Sequence, residues 1–275
     1  MPSHALNDTE MASLSIFINS NDAVISISDA EKIFYLQESI NAPSGYRLIM
    51  GLTNLTMPNA MYNITDNNNS ITINGVTTTI PNGNYSADDL ATQISTDSAE
   101  VTSCTFEPNN NVFSFNLAGS YVINSSTMER QLGLRKQLPT SAGTSYTASG
   151  ICDLGGVTNI YIRIRNITMN NLDSRGKTSN IIASIVNNTN YGGYIFFVPP
   201  EVLYYQINEN ALSHLDIELT DQEGNVIDLN GADFNLTLTI HYVKQRESTI
   251  KNSLLREIKE KLELKNKEPE KKNDK

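Results

Sequence analysis

The sequence has no tryptophan, and its 275 residues include only two cysteines and three histidines. Two cysteines, Cys104 and Cys152, cannot supply the disulfide framework of a small secreted domain. A single bridge between them stays open, but Cys104 lies in a strand-like run, where a buried free thiol is the simpler interpretation. His4, His214 and His241 share no spacing with a cysteine that would bind zinc. We therefore expect neither a metal nor any other cofactor.

Sequence motifs of catalysis and nucleotide binding are missing as well. The chain has no P-loop, no G-x-G-x-x-G and no G-x-S-x-G elbow. The carboxylates of Asp221, Glu223 and Asp228 lack the spacing of a calcium loop, and a solvated hairpin turn explains them better. We predict no enzymatic activity and no catalytic residue. A hydrolase on a β scaffold stays a minor alternative, because a Ser-His-Asp site assembles in space rather than along the sequence.

Long hydrophobic runs are also lacking. No stretch of about 18 apolar residues occurs, so no transmembrane helix is expected. The first residues, Met1 to His4, do not have the charged and apolar pattern of a signal peptide, so we expect a protein made in the cell without a secretion signal. Hydrophobic residues make up 39% of the sequence and charged residues 18%. The apolar residues come in short β-branched and aromatic bursts, which indicate a folded core.

Charge is unevenly distributed along the chain. The formal net charge is −10. Residues 244–275 hold 11 basic and 7 acidic residues, a net of +4, which leaves −14 on residues 1–243. An acidic body repels phosphate, so nucleic acid is an unlikely partner except weakly through the tail.

The chain is rich in strand-like segments separated by turn-forming residues. Asn74-Gly75 lies between two short β-branched runs and predicts a hairpin. The run from Phe234 to Val243 alternates apolar and polar residues, which indicates a strand with one buried and one wet face. About a dozen such strands predict an all-β fold, an antiparallel jelly roll or β-sandwich, over residues 1–243. We expect its first strands to pair with its last.

The region of residues 81–150 interrupts this strand pattern and is a candidate inserted subdomain. Ser86 and Asp89 form a weak capping box that predicts a short helix to Ser95. A second short helix is predicted over 127–132. Residues 137–156, rich in small and polar side chains, are interpreted as a long exposed loop.

The C-terminal segment 244–275 changes character again. An apolar stripe at helical spacing predicts an amphipathic helix, followed by a disordered lysine-rich end. We interpret the stripe as a partner interface, formed by Ile250, Leu254, Leu255, Ile258 and Leu262. Packing of this helix back onto the parent domain is the alternative.

Two groups of segments resemble a known protein family. From Tyr194 the sequence reads Y-I-F-F-V-P-P, then an alternating strand, an acidic turn ending at Gly224, and the final alternating strand to Val243. This is similar to the closing strands of penton and minor capsid proteins of virophages, polinton-like viruses and related large eukaryotic double-stranded DNA viruses. The run from Ile80 to Ser86, with Leu132-Gly-Leu134 further on, resembles a second element of these proteins, although Leu134 replaces an aromatic residue.

This resemblance implies a structural virion protein: a penton that forms homopentamers at the icosahedral vertices of a DNA virus capsid. Its implied partners are the major capsid protein and, as further candidates, minor capsid proteins. Its expected location is the capsid vertex of the virion. The residues alone indicate only a β-rich, assembly-forming protein, and they fit a trimeric fibre or an adhesin as well. A carbohydrate-binding head is the remaining alternative, although the sequence lacks tryptophan and shows no cluster of ligand-binding residues.

Overall fold

The computed structural model describes residues 10–135, 138, 141–172, 177 and 179–244. In these residues a 3₁₀ turn covers Ser20–Asp22 and the helix α1 covers Ala87–Asp97. The strands, in chain order, are β1 Glu10–Asn19, β2 Ile25–Ser28, β3 Glu31–Asn41, β4 Tyr46–Pro58, β5 Ser70–Ile73, β6 Val76–Thr79, β7 Val101–Glu107, β8 Val112–Tyr121, β9 Ile123–Ser126, β10 Gly143–Thr147, β11 Asn159–Ile164, β12 Ile181–Val186, β13 Tyr194–Phe197, β14 Tyr205–Gln206, β15 Ala211–Thr220 and β16 Asn235–Lys244.

Two five-stranded antiparallel sheets form the body of the protein. The first sheet has the order β1-β16-β4-β13, with β14 also paired to β4, and the second has the order β12-β11-β15-β3-β2. With β2 and β14 left out, the eight remaining strands can be numbered one to eight along the chain. The first sheet then has the order 1-8-3-6 and the second sheet the order 5-4-7-2. This winding is the jelly roll, so the predicted fold class is confirmed. The expected pairing of first and last strands is confirmed too, since β1 lies against β16.

The alternation along β16 explains how the first sheet covers the core. Leu236, Leu238 and Ile240 are buried, and they face the interior between the sheets. Leu238 lies opposite Ile16 on β1 and Leu52 on β4. A period of two places one set of side chains in the core, while the other set lies on the outer face. Burial of this apolar set contributes about 25 cal/mol for each Å² removed from water.

A second hydrophobic core lies in the residues between β4 and β11, called here the inserted region (59–158). It contains the sheets β6-β5-β9 and β10-β8-β7 together with α1. Its buried cluster runs from Ile64 to Cys152 and centres on Phe113 and Phe115. The buried cluster of the body contains none of the described residues between Met61 and Ile160. The buried apolar side chains of the described residues thus form two separate clusters.

Two local predictions in the inserted region are confirmed. Asn74 and Gly75, at φ values of 52° and 79°, form the turn between β5 and β6, as a two-residue hairpin requires. Ser86 caps α1, since its hydroxyl accepts a hydrogen bond from the Asp89 amide at 3.2 Å. Leu90 and Ile94, one helical turn apart, are buried on the inner face of the helix.

Other local predictions are wrong. Residues 127–132 form turns rather than a helix. The Leu132 amide donates one helical hydrogen bond to the Met128 carbonyl, but Gly133 has a φ of 70° and ends the helical turn there. The supposed loop at 137–156 contains β10, which pairs with β8. The sequence of β10 is G-T-S-Y-T, and its one large apolar side chain, Tyr146, packs against the second core without giving an apolar alternation.

Candidate functional site: assembly sides and a junction cleft

The partner interface predicted from the sequence lies outside the described residues, in the tail after Lys244. This holds for each residue of the apolar stripe: Ile250, Leu254, Leu255, Ile258 and Leu262. The structure does fix where that tail leaves the body. Lys244 lies opposite Tyr46 at the start of β4, and Val243 lies opposite Glu10 at the start of β1. The tail therefore leaves from one end of the first sheet.

Exposed apolar side chains collect along one edge of the sandwich, called here the β1 side. The edge strands β1 and β2 are joined by a short connection that holds the 3₁₀ turn, so the two free edges lie close together. Phe17, in the middle of β1, is 81% exposed. The β1 side consists of Leu14, Phe17, Val24, Ile25 and Ile27.

The opposite edge, called here the β13 side, carries a second set. β12 and β13 are the edge strands of the two sheets, and only residues 187–193 connect them. Phe196 is 74% exposed on the outer face of β13 and stacks on Tyr194, with 6.0 Å between the ring centroids. The β13 side consists of Val186, Tyr194, Phe196 and Val198. Apolar clusters on a surface of this kind mark interaction sites.

The outer face of the second sheet is acidic. Arg165, directly after β11, forms ion pairs with three carboxylates of neighbouring strands, those of Glu31, Asp216 and Glu218. With Arg163, which lies opposite Glu218 on the neighbouring strand, two guanidiniums against three carboxylates leave a local net charge of −1. These side chains fix the packing of β3, β11 and β15 from outside, and they make this face unfavourable for phosphate.

The described histidines lie against aromatic rings, and both cysteines are buried. His214 stacks on Tyr35 at 5.7 Å, and His241 meets the edge of Tyr204 at 4.6 Å. Both cysteines are free thiols buried in the second core, and burial raises the pKa of Cys104 to about 12 and that of Cys152 to about 11. Within the part of the chain that the structure describes, no group of three His, Cys, Asp or Glu could hold a metal ion. None of the described helices is long and apolar enough to cross a membrane.

A cleft of about 470 Å³ lies at the junction of the body and the inserted region. This junction cleft has a floor from segment 59–63, directly after β4. One wall comes from the inserted region, through 84–86 and 154–157, and the opposite wall from the β12–β13 connection at 187–191. These four segments are far apart in the sequence, and nothing in their local patterns predicts that they meet. Sequence reasoning therefore missed this site.

Two asparagines of the floor hold both walls in place. Asn59 exchanges backbone hydrogen bonds with Gly192 and Gly193, both at 2.8 Å, and its Nδ2 donates to the Thr189 carbonyl at 2.6 Å. Asn63 donates to the carbonyls of Tyr85 and Leu154 and accepts from the Tyr85 amide. The cleft is thus preformed by a network that uses most of the polar capacity of its floor.

An ion pair joins the inserted region to the body on another side of the junction. Arg130 contacts Asp153 at 2.7 Å within the inserted region and Glu223 of the β15–β16 turn at 3.6 Å. Partial burial acts to raise the pKa of Asp153, but hydrogen bonds from Arg130 and the Gly155 amide outweigh it, so that pKa lies below its usual value. These contacts hold the two parts in one orientation.

Comparison with solved structures finds chains that align over nearly their whole length. The mavirus penton protein is 11% identical, and the alignment covers 84% of this chain and 99% of that chain with a TM-score of 0.47. A chain in the cryo-EM structure of the Sputnik virophage is 14% identical, with 85% of this chain and 98% of that chain covered and a TM-score of 0.40. No protein-family model matches the chain, and a search of curated proteins finds no match. One of these neighbours is thus a penton protein and the other a chain of a virophage particle.

Proposed function

We propose that this chain is a structural protein of a viral capsid, which assembles side by side into a ring of five at the icosahedral vertex. Four features support the proposal: the jelly roll, a common fold of capsid domains; the sequence resemblance to penton proteins; the acidic outer face; and two apolar sides. The last of these is the observation that carries it. The role needs no catalytic residue and no cofactor.

The position of the apolar sides favours a ring over a twofold dimer. The β1 side and the β13 side are different surfaces at opposite edges of the same sandwich. A contact between two copies of one surface is isologous and ends at a dimer. A contact between two different surfaces is heterologous, and it forms a ring when the rotation between neighbours closes and an open filament when it does not. Exposed rings such as Phe17 and Phe196 are of the kind that anchors protein interfaces. Ring size five and the vertex location come from the sequence resemblance.

The remaining partners belong to the same proposal. The inserted region (59–158), with its own core, is proposed as a subdomain set into the jelly roll between β4 and β11. The tail from residue 244 onward is proposed as an arm that docks on a neighbouring major or minor capsid protein through its apolar stripe. Its net charge of +4 makes nucleic acid a weak partner at most, and the location follows as the vertex of the virion.

The ring is tested by blocking one side at a time. In Phe17→Asp the β1 side carries a charge, and in Phe196→Asp the β13 side does. Each variant alone should be monomeric and the wild-type protein should be pentameric when both are examined by native mass spectrometry and sedimentation. Because both side chains point into solvent, the melting temperature should change little. Val76→Asp, at an exposed position of β6 outside both sides, is the matched control and should form pentamers.

An equimolar mixture of the two variants distinguishes the geometry. Phe17→Asp keeps an intact β13 side and Phe196→Asp an intact β1 side, so the mixture should give heterodimers with no larger species. Trimers of the wild-type protein would support a fibre head instead. Self-association that survives in either single variant would contradict the heterologous contact.

A further inference from the structure

The junction cleft has the chemistry of a ligand site, and none of the assembly contacts proposed above uses it. Its volume of about 470 Å³ lies within the range of about 300–1,000 Å³ typical of small-molecule pockets. Such pockets occur preferentially where two structural units meet. Here the body and the inserted region, each with its own core, supply opposite walls.

The lining restricts the class of ligand by charge. Among the described residues, no Asp, Glu, Lys, Arg or His lines the cleft, so a phosphate, a carboxylate or an amine would lose hydration there without gaining an opposite charge. The lining is also too polar for a lipid, because five of its side chains are asparagine amides: Asn59, Asn63, Asn84, Asn187 and Asn190. A neutral ligand with many hydrogen-bonding groups fits this lining.

Part of this hydrogen-bonding capacity is unused. Asn59 is only 6% exposed, and its Oδ1 accepts no hydrogen bond from the described residues. A buried acceptor without a partner is destabilising, and a donor on a ligand would remove that cost. Asn84 and Asn190, at the rims of the two walls, are exposed, and their side chains make no hydrogen bond within the described structure. Amides of this kind both donate and accept, as adjacent hydroxyls of one ligand require.

An aromatic ring completes the site. Tyr191 lies on the wall from the body, is 45% exposed and packs against Tyr62, with ring centroids 5.8 Å apart. Desolvation and a hydrogen bond with Tyr62 raise the pKa of Tyr191, so its hydroxyl stays neutral at physiological pH. A half-exposed tyrosine offers a flat apolar face next to a polar edge. The C–H face of a sugar ring stacks on such a surface while its hydroxyls reach the amides.

We infer that the junction cleft binds a neutral saccharide, with Tyr191 stacking on a sugar ring and Asn59, Asn84 and Asn190 hydrogen-bonding its hydroxyls. The backbone contacts that fix the 187–193 connection on Asn59 hold the cleft in its binding shape, so little conformational entropy is lost on binding. The assignment concerns the single chain and does not depend on ring formation.

The test uses the full chain and a panel of neutral sugars: galactose, mannose, N-acetylglucosamine and disaccharides of these. Saturation-transfer NMR identifies the sugar that binds, and titration calorimetry gives its Kd. Tyr191→Ala should raise the Kd for that sugar about tenfold, since the stacking surface is lost. Tyr191→Phe should retain most of the affinity because it keeps the ring.

Two controls make the result specific. Tyr35→Ala removes another exposed tyrosine with a ring partner, His214, on the outer face of the second sheet, and it should leave the Kd unchanged. Galacturonate, a charged congener of galactose, should bind no more tightly than the neutral sugar. The inference is overturned if no neutral sugar of the panel binds at millimolar concentration, or if Tyr191→Ala and Tyr35→Ala weaken binding equally. Neither result affects the ring proposed above, which is measured without sugar.

Discussion

The two cores of this chain should open independently, and the buried thiols report which one opens. Cys104 and Cys152 both lie in the second core, 7% and 8% exposed. A thiol reagent such as a disulfide dye reacts with them only when the inserted region opens. Phe113 lies at the centre of that core, 0% exposed, with Phe106 and Phe115 at centroid distances of 5.4 and 6.4 Å. Phe113→Ala is therefore the perturbation that should release the thiols.

The size of the effect follows from burial. Replacing a fully buried phenylalanine by alanine costs about 3–5 kcal/mol, through lost transfer free energy and the cavity left behind. When opening and closing are fast relative to labelling, the labelling rate follows the open population. We expect both thiols to label roughly 10²- to 5 × 10³-fold faster in Phe113→Ala than in the wild-type protein, at a pH and reagent concentration common to both.

A matched lesion in the body provides the comparison. Leu238→Ala removes a fully buried side chain of the first core and costs about 2–5 kcal/mol by the same reasoning. It should lower the melting temperature of the body and leave thiol labelling near the wild-type rate. Equal acceleration of labelling by Leu238→Ala and Phe113→Ala would show one cooperative unit and refute the division into a jelly roll and an inserted subdomain.

Two further outcomes are expected. Burial raises the pKa of Cys104 from 9.0 to about 12, so the stability that the protonated thiol contributes is complete below pH 9 and is lost as the pH rises toward 12. At pH 10 the loss is about 1 kcal/mol, and urea unfolding should show a steeper alkaline decline of the free energy of unfolding in the wild-type protein than in Cys104→Ala. Truncation after Val243 should leave the melting temperature unchanged but prevent incorporation into particles; a drop of several degrees with incorporation intact would show instead that the tail packs on the body.

The sequence predicted those parts of the fold that depend on neighbouring residues. The alternation through Leu236 and Leu238, the Asn74-Gly75 turn and the Ser86 cap each act within a few residues, so local physics determines them. Of the strand order, the sequence predicted only that the first strands pair with the last. The fold is a jelly roll because β16 inserts between β1 and β4.

The parts that the sequence did not predict depend on distant contacts. β10 is a polar strand whose pairing with β8 gives no apolar period, so Ser145 and Tyr146 appear loop-like in sequence. The junction cleft combines four short segments between residues 59 and 191, and Asn59 becomes notable only when its amide oxygen is seen buried and unpaired. The two apolar sides likewise exist only because the folded sheets place β1 with β2 and β12 with β13.

The position of β16 between β1 and β4 also sets the order in which parts of the chain can fold during synthesis. Until the ribosome has delivered residues 235–244, both neighbours of β16 present open edges with unpaired backbone groups, which invite pairing with other chains. The first sheet therefore cannot be completed during translation, whereas the inserted region, built from contacts within about 100 residues, can fold while the rest of the chain is still being made. A nascent chain stalled before its last strand should be a client of chaperones, and a finished one should not.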